Sequence, residues 1–158
     1  MTNTYYRLDK RLFLVGQEVT TANECSAKFV DIAKRVEATL ESKRPANKKR
    51  RDQCLFVFED EKCAKKHWSK MKDGKLYKVS INESAISHRG DMAQMDVMKL
   101  LGASGKNMIE VAEDYWRGQK SAYPEIEIMV PSAVVTEVMS TCDKERQDHL
   151  KESWGFKQ

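Results

Sequence analysis

Hydrophobic positions in the first third of the chain follow a helical period. Apolar residues recur three or four positions apart at Phe29, Ile32, Val36 and Leu40. This spacing predicts an amphipathic helix of about five turns with one apolar stripe. The helix is expected to begin near Asn23 and to end before Pro45, because a proline disfavours helical geometry in the residue before it.

Short runs of β-branched and aromatic residues predict strands elsewhere in the chain. The predicted strands cover residues 4–8, an extended segment at 11–19 with a turn at Gly16, and residues 54–58, 76–82, 125–130 and 133–139. Further helices are predicted after the acidic residues 59–61, over 92–101 and 106–116, and over the polar segment 143–154. The order of these elements is not a regular strand–helix–strand winding, so the sequence predicts an α+β fold.

Composition limits the class of protein. A chain of 158 residues fits one domain, with a core expected over about residues 4–140 and a C-terminal helix over 142–154. With 41% hydrophobic and 33% charged residues and no apolar run near 20 residues, we expect a soluble protein rather than a disordered or membrane-spanning one. The N-terminus lacks a secretory signal pattern, which favours the cytoplasm.

The four cysteines are far apart in sequence, which favours reduced thiols over a disulfide framework or a zinc site. The three histidines, His67, His88 and His149, are also widely separated. None is assigned a cysteine or acidic partner at metal-ligand spacing, so we expect no metal.

Basic residues are concentrated between residues 43 and 51, although the net charge is only +4. The cluster comprises Lys43, Arg44, Lys48, Lys49, Arg50 and Arg51. No aromatic residue interleaves it for base stacking, so a solvated loop is the favoured interpretation. Contact with nucleic acid through Lys48, Lys49, Arg50 and Arg51 is the alternative.

Several landmarks occur in an order that resembles the small ADP-ribosyltransferases. They are Tyr5-Tyr6-Arg7, the strand-to-helix segment 55–64, the strand 76–79, His88-Arg-Gly-Asp91, and Glu127-Ile-Met-Val-Pro131. The resemblance covers about residues 4–140 and is closest to the compact branch that includes rifampin ADP-ribosyltransferase and related bacterial and phage proteins. It implies split mixed or antiparallel sheets with flanking helices, NAD as substrate, and, for a phage protein, action in the host cytoplasm.

The resemblance also implies roles for individual residues. Arg7 takes the first-strand position that binds the nicotinamide ribose or phosphates, and Tyr6 beside it lines the nicotinamide pocket. Phe58 falls at the middle position, where relatives commonly carry hydroxyl residues, and an aromatic ring there could stack on nicotinamide. Asp91 corresponds to an acidic loop near the cleft. From the residues alone, Arg89-Gly90-Asp91 is predicted to be a turn, with Asp91 capping the helix that starts at Met92.

The acidic position of the family maps to Glu127. Glu125 lies two residues upstream and therefore on the same face of a strand. We expect Glu127 to hold the ribose 2′-hydroxyl and to stabilise the cation formed when nicotinamide leaves, and Glu125 to orient or deprotonate the acceptor. A half-buried strand with alternating Glu and Ile is the structural alternative.

Three functions remain open on the sequence. The first is transfer of ADP-ribose from NAD to a macromolecule or small molecule without a metal. The second is a domain of the same fold that has lost catalysis and binds a host protein or nucleic acid, which the absence of a hydroxyl at Phe58 favours. The third is hydrolysis of NAD, with water as the acceptor.

Overall fold

The structure, a computed structural model, describes residues 3–21 and 31–154. Seven strands are present in this part of the chain: β1 (Tyr5–Asp9), β2 (Glu18–Thr20), β3 (Leu55–Phe58), β4 (Lys75–Ser80), β5 (His88–Asp91), β6 (Ile126–Val130) and β7 (Ser132–Ser140). The same residues contain five α-helices: α1 (Asp31–Lys43), α2 (Glu61–Ser69), α3 (Met92–Ala103), α4 (Ile109–Trp116) and α5 (Asp143–Ser153). Short 3-10 turns occur at Arg51–Gln53 and Glu83–Ala85.

All seven strands belong to one antiparallel sheet in the order β2-β7-β4-β1-β3-β6-β5. The neighbours β1 and β4 are paired along five residues, and β3 and β6 along four. The central neighbours β1 and β3 share a single registered pair, Tyr6 with Phe58. We call this pairing the sheet joint. It divides the sheet into a half built on β1 and a half built on β3.

Side chains alternate between the two faces of the sheet. One face carries an apolar cluster that includes Leu55, Val57, Tyr77, Val79 and Ile128. The opposite face packs against the helices. There, Met129 joins buried residues of α1, α3 and α4 such as Val36, Met98 and Tyr115, and Phe58 and Leu76 pack with Ala64 and Trp68 of α2. This second face carries the candidate site.

The structure confirms the α+β class, and the chain is a single domain. Each predicted strand and helix has a counterpart among the described residues, although the first eight positions of the predicted helix at 23–44 lie outside them. The described strands form one sheet, whereas the resemblance implies a split arrangement. No helix in the described ranges combines the length and apolar character needed to cross a bilayer.

One local prediction is wrong. Residues 89–91 form part of strand β5, not a turn, and all four residues of β5 pair with β6. Strand β5 lies at the edge of the sheet and has a polar sequence. Its hydrogen bonds to β6 determine its extended conformation. The second part of that prediction is confirmed, because the Asp91 carboxylate accepts from the Ala93 N–H and caps α3.

Candidate functional site

A cavity of about 430 Å³ lies between the helix-covered face of the sheet and helices α1, α2 and α3. Its walls are mainly apolar: Leu8, Ala33, Val36, Phe56, Phe58, Met71, Met92 and Met95. The polar groups in the walls are Arg7, Glu37, Arg51, His67, Lys99 and Glu127. A concave apolar space with a few convergent polar groups is typical of a small-molecule site.

Three residues predicted for the site form one row across the sheet. Tyr6 of β1 pairs with Phe58 of β3, and Phe58 pairs with Glu127 of β6. Directly paired residues of neighbouring strands point to the same face, so these side chains share the helix-covered face. Phe58 and Glu127 line the cavity, while Tyr6 continues the row outside the cavity and packs near α2.

Glu127 is held by two buried donors. Its Oε1 accepts from Arg51 Nη1 at 2.5 Å and from the Tyr115 hydroxyl at 2.6 Å. Its other oxygen, Oε2, has no hydrogen-bond partner among the described residues. Only 4% of Glu127 is accessible, which makes this a carboxylate fixed in position at the cavity wall. We call Arg51 and Tyr115 the Glu127 clamp.

Arg51 is the electrostatic centre of the clamp. Its guanidinium also binds Glu37 of α1 through Nε, at 2.8 Å, and lies 4.7 Å from the centroid of the Phe56 ring. Burial opposes its charge, but Glu127, Tyr115 and Glu37 outweigh that effect and raise the pKa of Arg51 well above its ordinary value. One cation therefore serves two carboxylates in an apolar wall.

Tyr115 reaches Glu127 because strand β5 leaves room for its ring. Gly90 lies opposite Glu127, and a Cβ at Gly90 would fall 2.3 Å from Cε2 of Tyr115. Burial first, and then the negative charge of Glu127, raise the pKa of Tyr115 well above its ordinary value. The phenol therefore stays protonated and donates to the carboxylate.

Arg7 is among the residues that line the cavity, and its predicted contact with a ligand stays a prediction. The side chain is buried, and its guanidinium donates twice to Asp9 Oδ2 and once to the carbonyl oxygen of Phe56. The last bond joins β1 to β3 next to the sheet joint. Arg7 and Glu127 thus share one cavity, with Arg7 also supporting its floor.

Glu125 lies just before β6 and binds residues of α2. Its Oε2 is 2.8 Å from His67 Nε2 and 3.1 Å from Lys66 Nζ. Burial would raise the pKa of Glu125, but the hydrogen bonds from Lys66 and His67 outweigh it and leave the pKa below its ordinary value. The His67 ring stacks on Phe58 at a centroid distance of 5.4 Å, which places the Glu125 pair beside the cavity.

Asp91 lies apart from the cavity walls. Its carboxylate accepts backbone N–H groups of Ala93, Ser121 and Glu125. Burial would raise the pKa of Asp91, but these backbone bonds outweigh it and lower the pKa. Asp91 therefore fixes the loop that leads to Glu125, while its predicted contact with a cofactor stays a prediction.

Cys63 adds a third donor beside His67 and Glu125. One ligand atom from each residue lies within 4.8 Å of the others, and all three residues are partly buried. Burial, followed by the charges of Glu125 and Asp60, raises the pKa of the Cys63 thiol to about 11. The sequence-based statement that no histidine has a partner at ligand spacing is wrong, because Cys63 and His67 are four residues apart on α2.

The structure also corrects the basic-cluster prediction for Arg51, which is buried in the clamp and not on a surface for nucleic acid. Other members of the cluster are bound as well. Arg44 pairs with Glu41, Arg50 pairs with Asp52, and Lys48 donates to the Ser87 carbonyl oxygen. The loop is therefore less basic than its sequence indicates.

Sequence reasoning missed several residues of the site: Glu37, Arg51, Cys63, His67, Met92, Met95 and Tyr115. Arg51 belongs to the basic cluster for which the sequence favours a solvated loop. A usable signal existed for one pair, since Cys63 and His67 have the four-residue spacing that places two ligands on one helix face. The ion pairs of Arg51 join residues 14 and 76 positions away and leave no local pattern.

Comparison with known proteins adds a family. Neither the curated proteins nor the solved structures include a match to this chain. A family model described as "Protein of unknown function (DUF2441)" matches residues 4–144, which span β1 through the start of α5. The chain therefore belongs to the DUF2441 family.

Proposed function

We propose that this protein cleaves the N-glycosidic bond of NAD and transfers ADP-ribose to an acceptor. The observation that carries the proposal is the arrangement of Arg7, Phe58 and Glu127 around one cavity. These residues come from three strands that are distant in sequence, and the resemblance to ADP-ribosyltransferases selects the same three positions.

Glu127 is suited to stabilise the reacting ribose. Cleavage breaks the bond between ribose C1′ and the nicotinamide nitrogen, and the bonding electrons leave with neutral nicotinamide. The sugar becomes positively charged, and a fixed carboxylate at the cavity wall stabilises that charge. The clamp holds Oε1, so Oε2 is the oxygen that would accept from a ribose hydroxyl.

The apolar walls suit the nicotinamide end of the substrate. Phe58 offers a ring for stacking, and Met92 and Met95 are flexible side chains that adapt to a flat ligand. Arg7 and Lys99 supply positive charge to the same cavity for the diphosphate. In this assignment Asp91 positions the loop and does not touch the substrate.

The acceptor is assigned to the side of the cavity where His67 meets Glu125. The acceptor's nucleophilic atom would form the new bond to C1′ and lose its proton. The partly exposed Glu125 and His67 pair is the nearest group able to take that proton. Water in the same place would give NAD hydrolysis.

The sheet joint supports our assignment of the fold to the ADP-ribosyltransferase-like type. An ADP-ribosyltransferase-like split sheet needs two halves that separate near the ligand, and here a single registered pair connects β1 with β3. Arg7 and Phe56 bridge the halves beside that pair through the Arg7 hydrogen bond, at the floor of the cavity. We assign the cavity at this joint as the NAD site.

The test combines NAD binding with release of nicotinamide. Isothermal titration with NAD should give saturable binding, and labelled NAD incubated with a cell lysate should yield nicotinamide and a labelled acceptor. The Glu127→Gln variant should lower nicotinamide release by about 100-fold or more while NAD affinity changes far less. Nuclease and protease digestion of the product then identifies the acceptor class.

Glu137→Gln is the matched control, because Glu137 lies on β7 at an exposed position. It should release nicotinamide at the wild-type rate. Full activity in Glu127→Gln, or no binding at millimolar NAD, would reject the proposal. Free ADP-ribose without a labelled macromolecule would assign hydrolysis instead.

A further inference from the structure

We propose that Cys63, His67 and Glu125 form a zinc-binding site beside the cavity. The proposal does not depend on NAD chemistry, although it uses the Glu125–His67 pair that faces the acceptor side, and a metal bound there would occupy the atoms that otherwise take the proton. Its basis is the convergence of a thiol, an imidazole and a carboxylate from two separate segments of the chain, with their ligand atoms within 4.8 Å of one another.

The positions of the three residues need little rearrangement to hold a metal. In a tetrahedral zinc site, ligand atoms about 2.0–2.3 Å from the metal lie roughly 3.3–3.7 Å from one another. His67 Nε2 and Glu125 Oε2 are now 2.8 Å apart and would separate slightly as the metal enters between them, with the neutral imidazole carrying its proton on Nδ1. The Cys63 sulfur would move inward by side-chain rotation.

The backbone already fixes the three residues. Cys63 and His67 lie one turn apart on α2, which Asp60 caps at its N-terminus through the Lys62 N–H. Asp91 accepts the backbone N–H of Glu125 at 2.8 Å and holds the third ligand from the other side. The Phe58 ring stacks on His67 and orients the imidazole. Such support of ligands by neighbouring groups is typical of metal sites.

The ligand chemistry selects zinc. Thiolate and imidazole favour zinc over the oxygen-preferring magnesium and calcium. Binding exchanges the thiol proton of Cys63 for a sulfur–zinc bond, releases one proton and displaces water from the metal. Thiolate and carboxylate together balance the two positive charges of the ion, and the fourth coordination position remains for water.

Lys66 competes with the metal in the present arrangement. Its ammonium lies 3.1 Å from Glu125 Oε2, and its side chain is 54% exposed. The ion would have to displace this contact, because both cations need the same carboxylate oxygen. Removing the charge of Lys66 should therefore tighten zinc binding, whereas removing the charge of neighbouring Lys65, which pairs with Glu61, should not.

The experiment uses Co²⁺ as a coloured substitute for Zn²⁺ and the full chain without a polyhistidine tag. One equivalent of Co²⁺ should produce visible absorption of a tetrahedral complex and a thiolate charge-transfer band, and Zn²⁺ should remove both. Cys63→Ser should abolish the charge-transfer band and weaken Zn²⁺ binding at least about tenfold. His67→Ala and Glu125→Gln should also weaken binding.

Cys142→Ser is the control for a thiol elsewhere, because Cys142 is exposed and free. It should retain the full cobalt spectrum. Lys66→Gln should tighten Zn²⁺ binding about two- to fivefold, and Lys65→Gln should leave it unchanged. No cobalt spectrum in the wild type, or an unchanged charge-transfer band in Cys63→Ser, would overturn the proposal whatever the outcome with NAD.

Discussion

Glu127 and Glu125 are separated by one residue but lie in opposite environments. The Glu127 side chain is 5% exposed and binds the buried Arg51, whereas the Glu125 side chain is 16% exposed and binds Lys66 and His67, which are 54% and 27% exposed. The partners of Glu127 are locked among aromatic rings. The partners of Glu125 lie on one exposed side of α2.

These environments give the two glutamates different properties. The charge of Glu127 is fixed in position, whereas the partners of the Glu125 carboxylate can be exchanged. A buried carboxylate with rigid donors keeps its orientation when a ligand arrives, which is the requirement for stabilising a developing charge. A carboxylate with exposed partners can release them to a proton, an acceptor or a metal. The two glutamates therefore suit different steps, although their sequence context is nearly the same.

Breaking the Glu127 clamp should have the largest effect on stability. Arg51→Met keeps the apolar stem but leaves the buried Glu127 and the half-buried Glu37 without their cation. We expect a loss of about 3–5 kcal/mol in the free energy of unfolding, measured by urea denaturation. The double variant Arg51→Met, Glu127→Gln should recover part of this loss, because it no longer leaves the Glu127 charge buried without a partner.

The matching change at Glu125 is Lys66→Met, which removes its exposed cation. The loss in the free energy of unfolding should stay below about 1 kcal/mol, because an ion pair open to water contributes little. Equal losses in Arg51→Met and Lys66→Met would show that the two glutamates do not differ as described.

A smaller effect is expected from filling the space beside Tyr115. In Gly90→Ala the new methyl group meets the Tyr115 ring and must push it away from Glu127. We expect about 1–3 kcal/mol of destabilisation from this overpacking. Adding Tyr115→Leu should relieve the clash, so the combined loss should be less than the sum of the two single losses. Strict additivity in the double-mutant cycle would contradict the contact.

A further effect concerns Asp91, which holds the backbone of Glu125 in place. In Asp91→Asn an amide nitrogen replaces the oxygen that accepts from Ser121 N–H, and we expect a loss of about 1–2 kcal/mol near pH 7. The folded pKa of Asp91 is lowered, so its stabilisation is present above the ordinary pKa of 3.8 and is lost as the pH falls through the folded value. The difference between wild type and variant should therefore shrink as the pH falls below 3.8 in urea titrations. A constant difference across that range would contradict the role of the ionised carboxylate.

Much of the fold follows from local pattern. The spacing of Val36 and Leu40 predicts the buried stripe of α1, and the short run of apolar and aromatic residues at 54–58 predicts β3. Strand β5 could not be identified in this way, because Arg89 and Asp91 are polar and its pairing partner lies more than 30 residues further along the chain. Hydrogen bonds to a distant strand outweigh its local preference for a turn.

Three positions that the resemblance to ADP-ribosyltransferases selects, Glu127, Phe58 and Arg7, line one cavity. Their roles towards a ligand stay predictions. The residues that hold Glu127 were not predictable, because the burial of Arg51 depends on its contacts with α1, α4 and β6, which are distant in sequence. A cluster of cations in sequence gives no information on which member turns inward.

The outermost strands of the sheet, β2 and β5, have three and four residues. An exposed edge strand can pair with a strand of another chain. Edge strands this short offer few unpaired backbone groups for such pairing. Concentrated samples should therefore resist strand-to-strand aggregation, which favours the calorimetric and spectroscopic titrations that require protein at high concentration.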